Sequence, residues 1–370
     1  MKIIITSNTC WYIYNFRSRL IKFLIKEGWA VHIIAPQDKY AVKLEEIGAI
    51  CHFIRLSRFK KSILSDFYYL IRLFLYFVKI KPTAIHNFTI KPVIYGSVAS
   101  KFFKKIKIVN SIPGLGISFK SDNRKKVMSR FILFLYRIAI KKKHKVIFQN
   151  PDDMSFFIDN KISSQSNSYL IKGSGVDLAK FSKVLDNSNL DKVRFGMMCR
   201  MLKSKGAEDF IEASKIVFKK NPKTKFYLLG SPDLNSPDSL SIEWLRELNN
   251  SEHIEWRPHS DDVVDFLDNI DVFVLPTYYP EGLPKSLLEA ASMSLPLIST
   301  RVSGCKEIVK NNFNGLFVNT QDRIDLADKM YDLSINSDKR IEMGRNGRIL
   351  VEKEYSDKSV NDRTFKLYLK

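Results

Sequence analysis

Short apolar runs of strand length recur along this chain in two series, with longer stretches of helical spacing between them. The first series falls at residues 3–6, 31–35, 84–87, 106–110 and 145–149, and closes with 169–172 after the polar stretch Ser163-Ser164-Gln165-Ser166-Asn167-Ser168. The turn Gly173-Ser174-Gly175 interrupts the pattern, and a second series follows at 193–199, 225–229, 253–257, 271–275, 296–300 and 316–318. Strands that alternate with helices build parallel sheets covered by helices on both faces, so the expected class is α/β. Two series imply two Rossmann-like domains joined near residues 173–190. The expected boundaries are 1–172 with about 355–370 for the first domain and 173–354 for the second. The C-terminal segment 359–370 carries Val360, Phe365, Leu367 and Tyr368, apolar residues suited to docking. Ligands of such folds lie beyond the carboxyl ends of the strands, so chemistry is expected in the loops that follow them.

Other architectures fit poorly. The chain is 45% hydrophobic and 27% charged, the balance of a packed globular protein. Its longest apolar stretch, 67–80, contains Arg72 and Lys79 and falls short of the roughly 20 nearly uncharged residues of a membrane span. The N-terminus has an apolar run too short for the core of a secretion signal and reads as a first buried strand. The four cysteines, Cys10, Cys51, Cys199 and Cys305, form no C-x-x-C pair, so neither a metal site nor a disulfide framework is expected, and a reducing cytoplasm is the simplest compartment.

The formal charge is +21, unevenly spread. Residues 1–175 hold 31 Lys+Arg against 9 Asp+Glu, whereas the remainder is nearly neutral. The basic clusters are Arg58-Phe59-Lys60-Lys61, Lys101-Phe102-Phe103-Lys104-Lys105-Ile106-Lys107, Arg124-Lys125-Lys126 and Lys141-Lys142-Lys143-His144-Lys145. Apolar residues are interleaved with them, and 127–140 places Met128, Phe131, Ile132, Phe134, Leu135 and Ile138 between two clusters. Such segments are either solvated faces over core helices or surfaces that settle on an anionic bilayer. Nucleic acid is the competing polyanion, but no recognition motif for it is present and none is expected as a partner.

Three segments carry chemistry-bearing side chains at strand ends. In Glu281-Gly282-Leu283-Pro284-Lys285-Ser286-Leu287-Leu288-Glu289, Pro284 is expected in the first turn of a helix. Glu281 then precedes that helix and Glu289 lies in its second turn. The first-turn amides of Lys285, Ser286 and Leu287 make an anion site, flanked by two carboxylates that can accept from sugar hydroxyls. Arg200 and Lys205 follow the strand at 193–199 and could clamp a diphosphate, the first as a planar fork and the second as a point charge. His86 ends the strand at 84–87. Taken singly, each has a plainer reading: an exposed helical Glu, a solvated basic loop, a structural histidine. D-x-D, G-x-x-x-x-G-K-[ST], G-x-G-x-x-G after the first strand and G-x-S-x-G are all missing, which weakens metal-chelated phosphate, P-loop, dinucleotide and serine-hydrolase readings.

Together these residues resemble the family 4 retaining glycosyltransferases of GT-B architecture. Glu281 to Glu289 is similar to the family's E-x7-E element, Arg200 with Lys205-Gly206 to its diphosphate pair, and Gly173-Ser174-Gly175-Val176-Asp177 to its interdomain turn. Gly304-Cys305-Lys306-Glu307-Ile308-Val309 and Asn314-Gly315-Leu316 resemble its late segments. Asn15-Phe16-Arg17, the run from His86 to Gly96, and Gly114-Leu115-Gly116 resemble the branch that builds capsule, O-antigen and lipid-linked glycans. Two departures stand out: Pro284 replaces a common Gly, and the loop Ser7-Asn8-Thr9-Cys10-Trp11 lacks a common Gly-Gly.

The resemblance implies two facing Rossmann-like domains, with a C-terminal tail crossing back to the first. It implies a donor-binding second domain, with Glu281 and His86 at the transferred sugar. Arg200 and Lys205 would neutralise the leaving diphosphate, Glu289 would bind the ribose, and Gly282, Leu283, Lys285, Ser286 and Leu287 would complete the donor-binding set. It further implies a UDP- or GDP-linked hexose or N-acetylhexosamine as donor, an undecaprenyl-diphosphate-linked saccharide as acceptor on the first domain, retention of configuration, and neither cofactor nor metal. The expected location is cytoplasmic, peripheral on the inner leaflet, with the basic first domain against the anionic surface and released by high salt. A nucleotide-sugar epimerase of similar fold is the rival enzyme, and a non-enzymatic polyanion binder the rival of another class.

Overall fold

A computed structural model describes the chain except residues 57–62, 116–122, 184–191, 235, 259, 261 and 370, and except the side chains of 63 and 123–128. It divides into two compact units, Met1–Ser174 with Asp357–Lys370, and Gly175–Ser356.

Unit 1 runs β1 (Lys2–Thr6), α1 (Cys10–Lys26), β2 (Ala30–Ala35), α2 (Ala41–Glu46), β3 (Ile50–Phe53), α3 (Ile63–Ile80), β4 (Ala84–Phe88), α4 (Ile90–Ala99), β5 (Lys107–Ile112), α5 (Asn123–Ala139), β6 (Lys145–Phe148), α6 (Pro151–Asp159) and β7 (Ser168–Leu170). Its sheet is parallel, in the order β3-β2-β1-β4-β5-β6-β7. Both faces are covered, which explains why β1 reads as an unbroken apolar run. Ile3 and Ile5 pack with α1 and α2, while Ile4 packs with α3. Thr9 caps α1 through its hydroxyl and Asn150 caps α6 through its amide oxygen.

Unit 2 runs β8 (Val193–Met198), α7 (Ala207–Lys220), β9 (Thr224–Leu229), α8 (Ile242–Glu247), β10 (Ile254–Arg257), α9 (Val263–Asp268), β11 (Val272–Leu275), α10 (Lys285–Ser292), β12 (Leu297–Thr300), α11 (Cys305–Ile308), β13 (Gly315–Val318), α12 (Arg323–Ile335) and α13 (Ser337–Glu354). Its sheet is also parallel, in the order β10-β9-β8-β11-β12-β13. The chain then returns to unit 1 with α14 (Asp357–Leu369). There Phe365 meets Phe23 and Trp29 edge-on, and the Lys145 ammonium donates to the Leu367 carbonyl at 2.7 Å.

Three expectations change. The edge strand β3 was not marked by an apolar run, because Cys51 and His52 interrupt it and half its residues face outward. Pro284 is the N-cap of α10, with ψ 116°, so the helix begins at Lys285, one residue later than expected. His86 lies within β4 rather than at its end. The cluster at 58–61, the side chains of Arg124 to Met128, and Gly116 lie outside the described residues.

Candidate active site

In an open parallel sheet, ligands gather where the strand order reverses, beyond the carboxyl ends of the two strands on either side. In unit 2 those strands are β8 and β11, which are neighbours. Arg200 and Lys205 lie in the connection leaving β8, and Glu281 in the one leaving β11.

The two connections are fastened together. Gly206, with φ +82°, begins α7 so close to the other loop that a Cβ there would stand 2.3 Å from the Pro276 carbonyl oxygen. Only glycine fits that approach and that backbone conformation. The Ser204 carbonyl accepts from the Tyr278 amide at 2.9 Å and from the Thr277 hydroxyl at 3.1 Å. Asp238 accepts from both the hydroxyl and the amide of Ser204, holding the turn that presents Lys205.

The Lys205 ammonium is ion-paired with the Glu281 carboxylate, the two side chains only 12% and 11% exposed. The same ammonium stands 4.5 Å from the Tyr279 ring centroid, and the Arg200 guanidinium carbon lies 6.0 Å from that ring. Arg200 also donates to Asp233 at 2.8 Å. From the next connection, Gly304 presses on the Gly282 carbonyl, where a Cβ would come within 2.5 Å. Gly282, Leu283 and Pro284 are buried.

The α10 N-terminus follows directly. Lys285 and Ser286 are half-buried, whereas the Leu287 side chain belongs to the core, so only its amide is available to a ligand. Glu289 is 4% exposed and paired with the Lys285 ammonium at 3.0 Å. The arrangement brings Arg200, Lys205 and Lys285, the N-terminus of α10, and the carboxylates of Asp233, Glu281 and Glu289 to one end of the sheet. Chemically, such an arrangement can hold an anion beside a group rich in hydroxyls. Cys199, next to Arg200, offers no thiolate, because burial pushes its thiol up to about 12. Among the described residues no group of three or more His, Cys, Asp or Glu is placed to hold a metal ion.

His86 stands apart from this group. It is buried inside unit 1, its Nδ1 2.5 Å from the Tyr368 hydroxyl and its Nε2 2.7 Å from the Ser111 hydroxyl. Its ring lies against Phe88, with centroids 3.9 Å apart. Burial, and then the nearby Arg17 charge, lower its basicity well below that of an ordinary histidine. Both nitrogens are engaged inside the unit, so the side chain presents neither to a sugar. Sequence reading also missed Asp233, Asp238 and Tyr279. The first two follow β9 and the third follows β11, so a search of every strand end for charged and aromatic residues would have found them.

Residues 179–350 match the family model of glycosyl transferases group 1, and residues 2–150 that of glycosyl transferase 4-like proteins. The chain is 29% identical to the N,N'-diacetylbacillosaminyl-diphospho-undecaprenol alpha-1,3-N-acetylgalactosaminyltransferase of Campylobacter jejuni, covering 96% of this chain and 95% of that protein. It is 27% identical to the capsular polysaccharide biosynthesis glycosyltransferase CapM of Staphylococcus aureus, over 94% and 92%. It is also 27% identical to the Escherichia coli UDP-Gal:alpha-D-GlcNAc-diphosphoundecaprenol alpha-1,3-galactosyltransferase, over 70% and 68%. Among solved structures, a Rickettsia africae glycosyltransferase superposes with TM-score 0.79 at 16% identity, over 99% of this chain and 97% of that one. Anabaena HepE in complex with UDP and glucose gives 0.78 at 15%, over 99% and 98%.

Proposed function

We propose, from the premise that this chain belongs to the family 4 glycosyltransferases of GT-B fold, that it moves a hexose or N-acetylhexosamine from a nucleotide sugar to an undecaprenyl-diphosphate-linked saccharide in the assembly of a surface polysaccharide. The observation that carries this reading is the convergence of Lys205, Glu281 and Arg200 around Tyr279 at the β8/β11 edge. The donor binds to unit 2 and the acceptor to unit 1. Uridine is preferred over guanosine as the base, since the Escherichia coli relative is named for UDP-Gal and HepE binds UDP.

In this reading the donor diphosphate takes the place beside Lys205 and Arg200, against the N-terminus of α10. As the bond from the anomeric carbon to the phosphate oxygen breaks, negative charge grows on the leaving diphosphate. The two cations and the helix dipole stabilise that charge more than they stabilise the ground state. Glu281 accepts from hydroxyls of the sugar, and Glu289 from the ribose. The acceptor hydroxyl attacks on the face the diphosphate leaves, and its proton passes to the departing phosphate oxygen, which retains the anomeric configuration. Two relatives are named for alpha linkages, which supports retention. The charge stabilisation needs no metal.

Attachment to an anionic membrane belongs to the same reading. Leu64, Phe67, Tyr68, Ile71, Leu75 and Val78 are exposed and share one face of α3, and Phe131, Phe134 and Ile138 are exposed on α5. Residues 47–150 hold 22 Lys+Arg and only Asp66 and Asp122 as acids. Asp66 is occupied by Lys91 at 2.8 Å and by the Tyr95 hydroxyl at 2.9 Å. An apolar stripe flanked by cations suits the headgroup region of an anionic bilayer. Among the described residues no helix is long and apolar enough to cross a membrane.

The test is incubation with labelled UDP- and GDP-sugars and a lipid extract bearing the acceptor, with and without EDTA. Label should enter the lipid with one UDP-sugar, whether or not EDTA is present. Isomerisation of the donor without transfer would support the epimerase instead, and strict metal dependence would contradict the electrostatic account.

A further inference from the structure

Unit 1 has its own point of strand reversal, between β1 and β4. Arg17 of α1 points toward it. The guanidinium donates to the hydroxyl of Tyr12, five residues back toward the helix start, at 3.4 Å. That direction is the one helical side chains favour. It also lies 4.5 Å over the ring of Phe88, the last residue of β4. Arg17 is only 6% exposed, its Nε has no hydrogen-bond partner, and no carboxylate pairs with it among the described residues. A cation removed from water without a counter-charge is costly, and proteins keep such groups where something anionic completes them.

The next residue in the chain makes a second, independent observation. Thr89 stands between β4 and the ten-residue α4 with φ +70° and ψ 162°, a strained conformation for a β-branched side chain. Its hydroxyl is buried without a partner and does not cap the helix. The positive end of α4 begins at the same place. A buried cation without a counter-charge thus lies against the last residue of β4, and an orphaned hydroxyl and the start of α4 follow that residue directly in the chain.

We propose that this edge of unit 1 is a phosphate-binding site for the diphosphate of the lipid-linked acceptor. Arg17 supplies the charge, with Tyr12 steadying it, and Thr89 and the start of α4 complete the coordination. The assignment of the ligand rests on the lipid-linked acceptor proposed above. The plainer alternative is that Arg17 is a packing group held by Phe88, in which case an apolar replacement should leave ligand affinity untouched.

The experiment uses the full chain saturated with UDP, so that the unit 2 site is occupied, and titrates it with inorganic pyrophosphate and with farnesyl diphosphate. Both probes should bind, and Arg17→Met should weaken them about tenfold or more, as expected for loss of a charge-assisted contact. Thr89→Gly keeps a backbone that accepts positive φ. It should weaken the probes about threefold while leaving the melting temperature no lower, so it decides the matter if Arg17→Met does not fold. In the transfer assay, Arg17→Met should raise the acceptor KM without a matching rise in the donor KM. Equal affinity in the variants and the parent, or binding that UDP abolishes entirely, would overturn the proposal. So would Arg17-dependent binding to phosphatidylglycerol vesicles with no response to either diphosphate, which would assign the site to lipid headgroups. Probe binding that needs Arg17 in a protein that transfers no sugar would leave this site standing and remove the proposed reaction instead.

Discussion

Lys205 and His86 are both shielded from solvent, yet they differ in what closes around them. Lys205 meets an acid and an aromatic ring from a neighbouring loop at a strand end. His86 is satisfied on both nitrogens, and one partner, Tyr368, comes from the last helix of the chain. His86→Gln should therefore act on stability rather than on turnover. Loss of a buried partner for Tyr368 or Ser111 costs about 1–3 kcal/mol. Denaturant unfolding combined with turnover per folded molecule checks this; a large loss of turnover at unchanged stability would return His86 to the reaction.

At the scale of elements, two loops and the start of α10 form the candidate site. Gly206 lets the β8 and β11 connections touch. Gly206→Ala should destabilise unit 2 by about 1–3 kcal/mol, from positive φ and collision with the Pro276 carbonyl, and should lower donor affinity as Lys205 shifts. Melting temperature and UDP titration measure both, and a fully stable, fully active variant would show that the loops need no such contact. Much of this was legible in the chain. Most strands declared themselves as apolar runs because both faces of each sheet are covered. β3 did not, being a short edge strand interrupted by Cys51 and His52. Arg200, Lys205, Glu281 and Glu289 are legible as candidates because they stand near strand ends or a helix start. The orphaned groups of Arg17 and Thr89, and the closure of His86 by Tyr368, depend on packing between segments far apart in sequence, which spacing does not encode.

For the whole molecule, the excess positive charge and the outward apolar stripe of α3 belong to the same unit. Charge alone predicts release from anionic vesicles by high salt, because screening shortens its reach. The stripe predicts that salt leaves part of the protein bound. It also predicts that Phe67→Ser with Ile71→Ser and Leu75→Ser restores release, each apolar side chain contributing on the order of 1 kcal/mol or more when removed from water. Vesicle sedimentation across a salt series separates the two; a protein that stays free at low salt beside anionic vesicles would end the attachment reading.

The most direct test of the account is the rate of sugar transfer to lipid-linked acceptor by Lys205→Ala beside the parent protein. Loss of one electrostatic donor to the leaving diphosphate predicts a fall of about a hundredfold or more, on the order of 3 kcal/mol. Near-parental turnover would contradict the assignment of that diphosphate to Lys205.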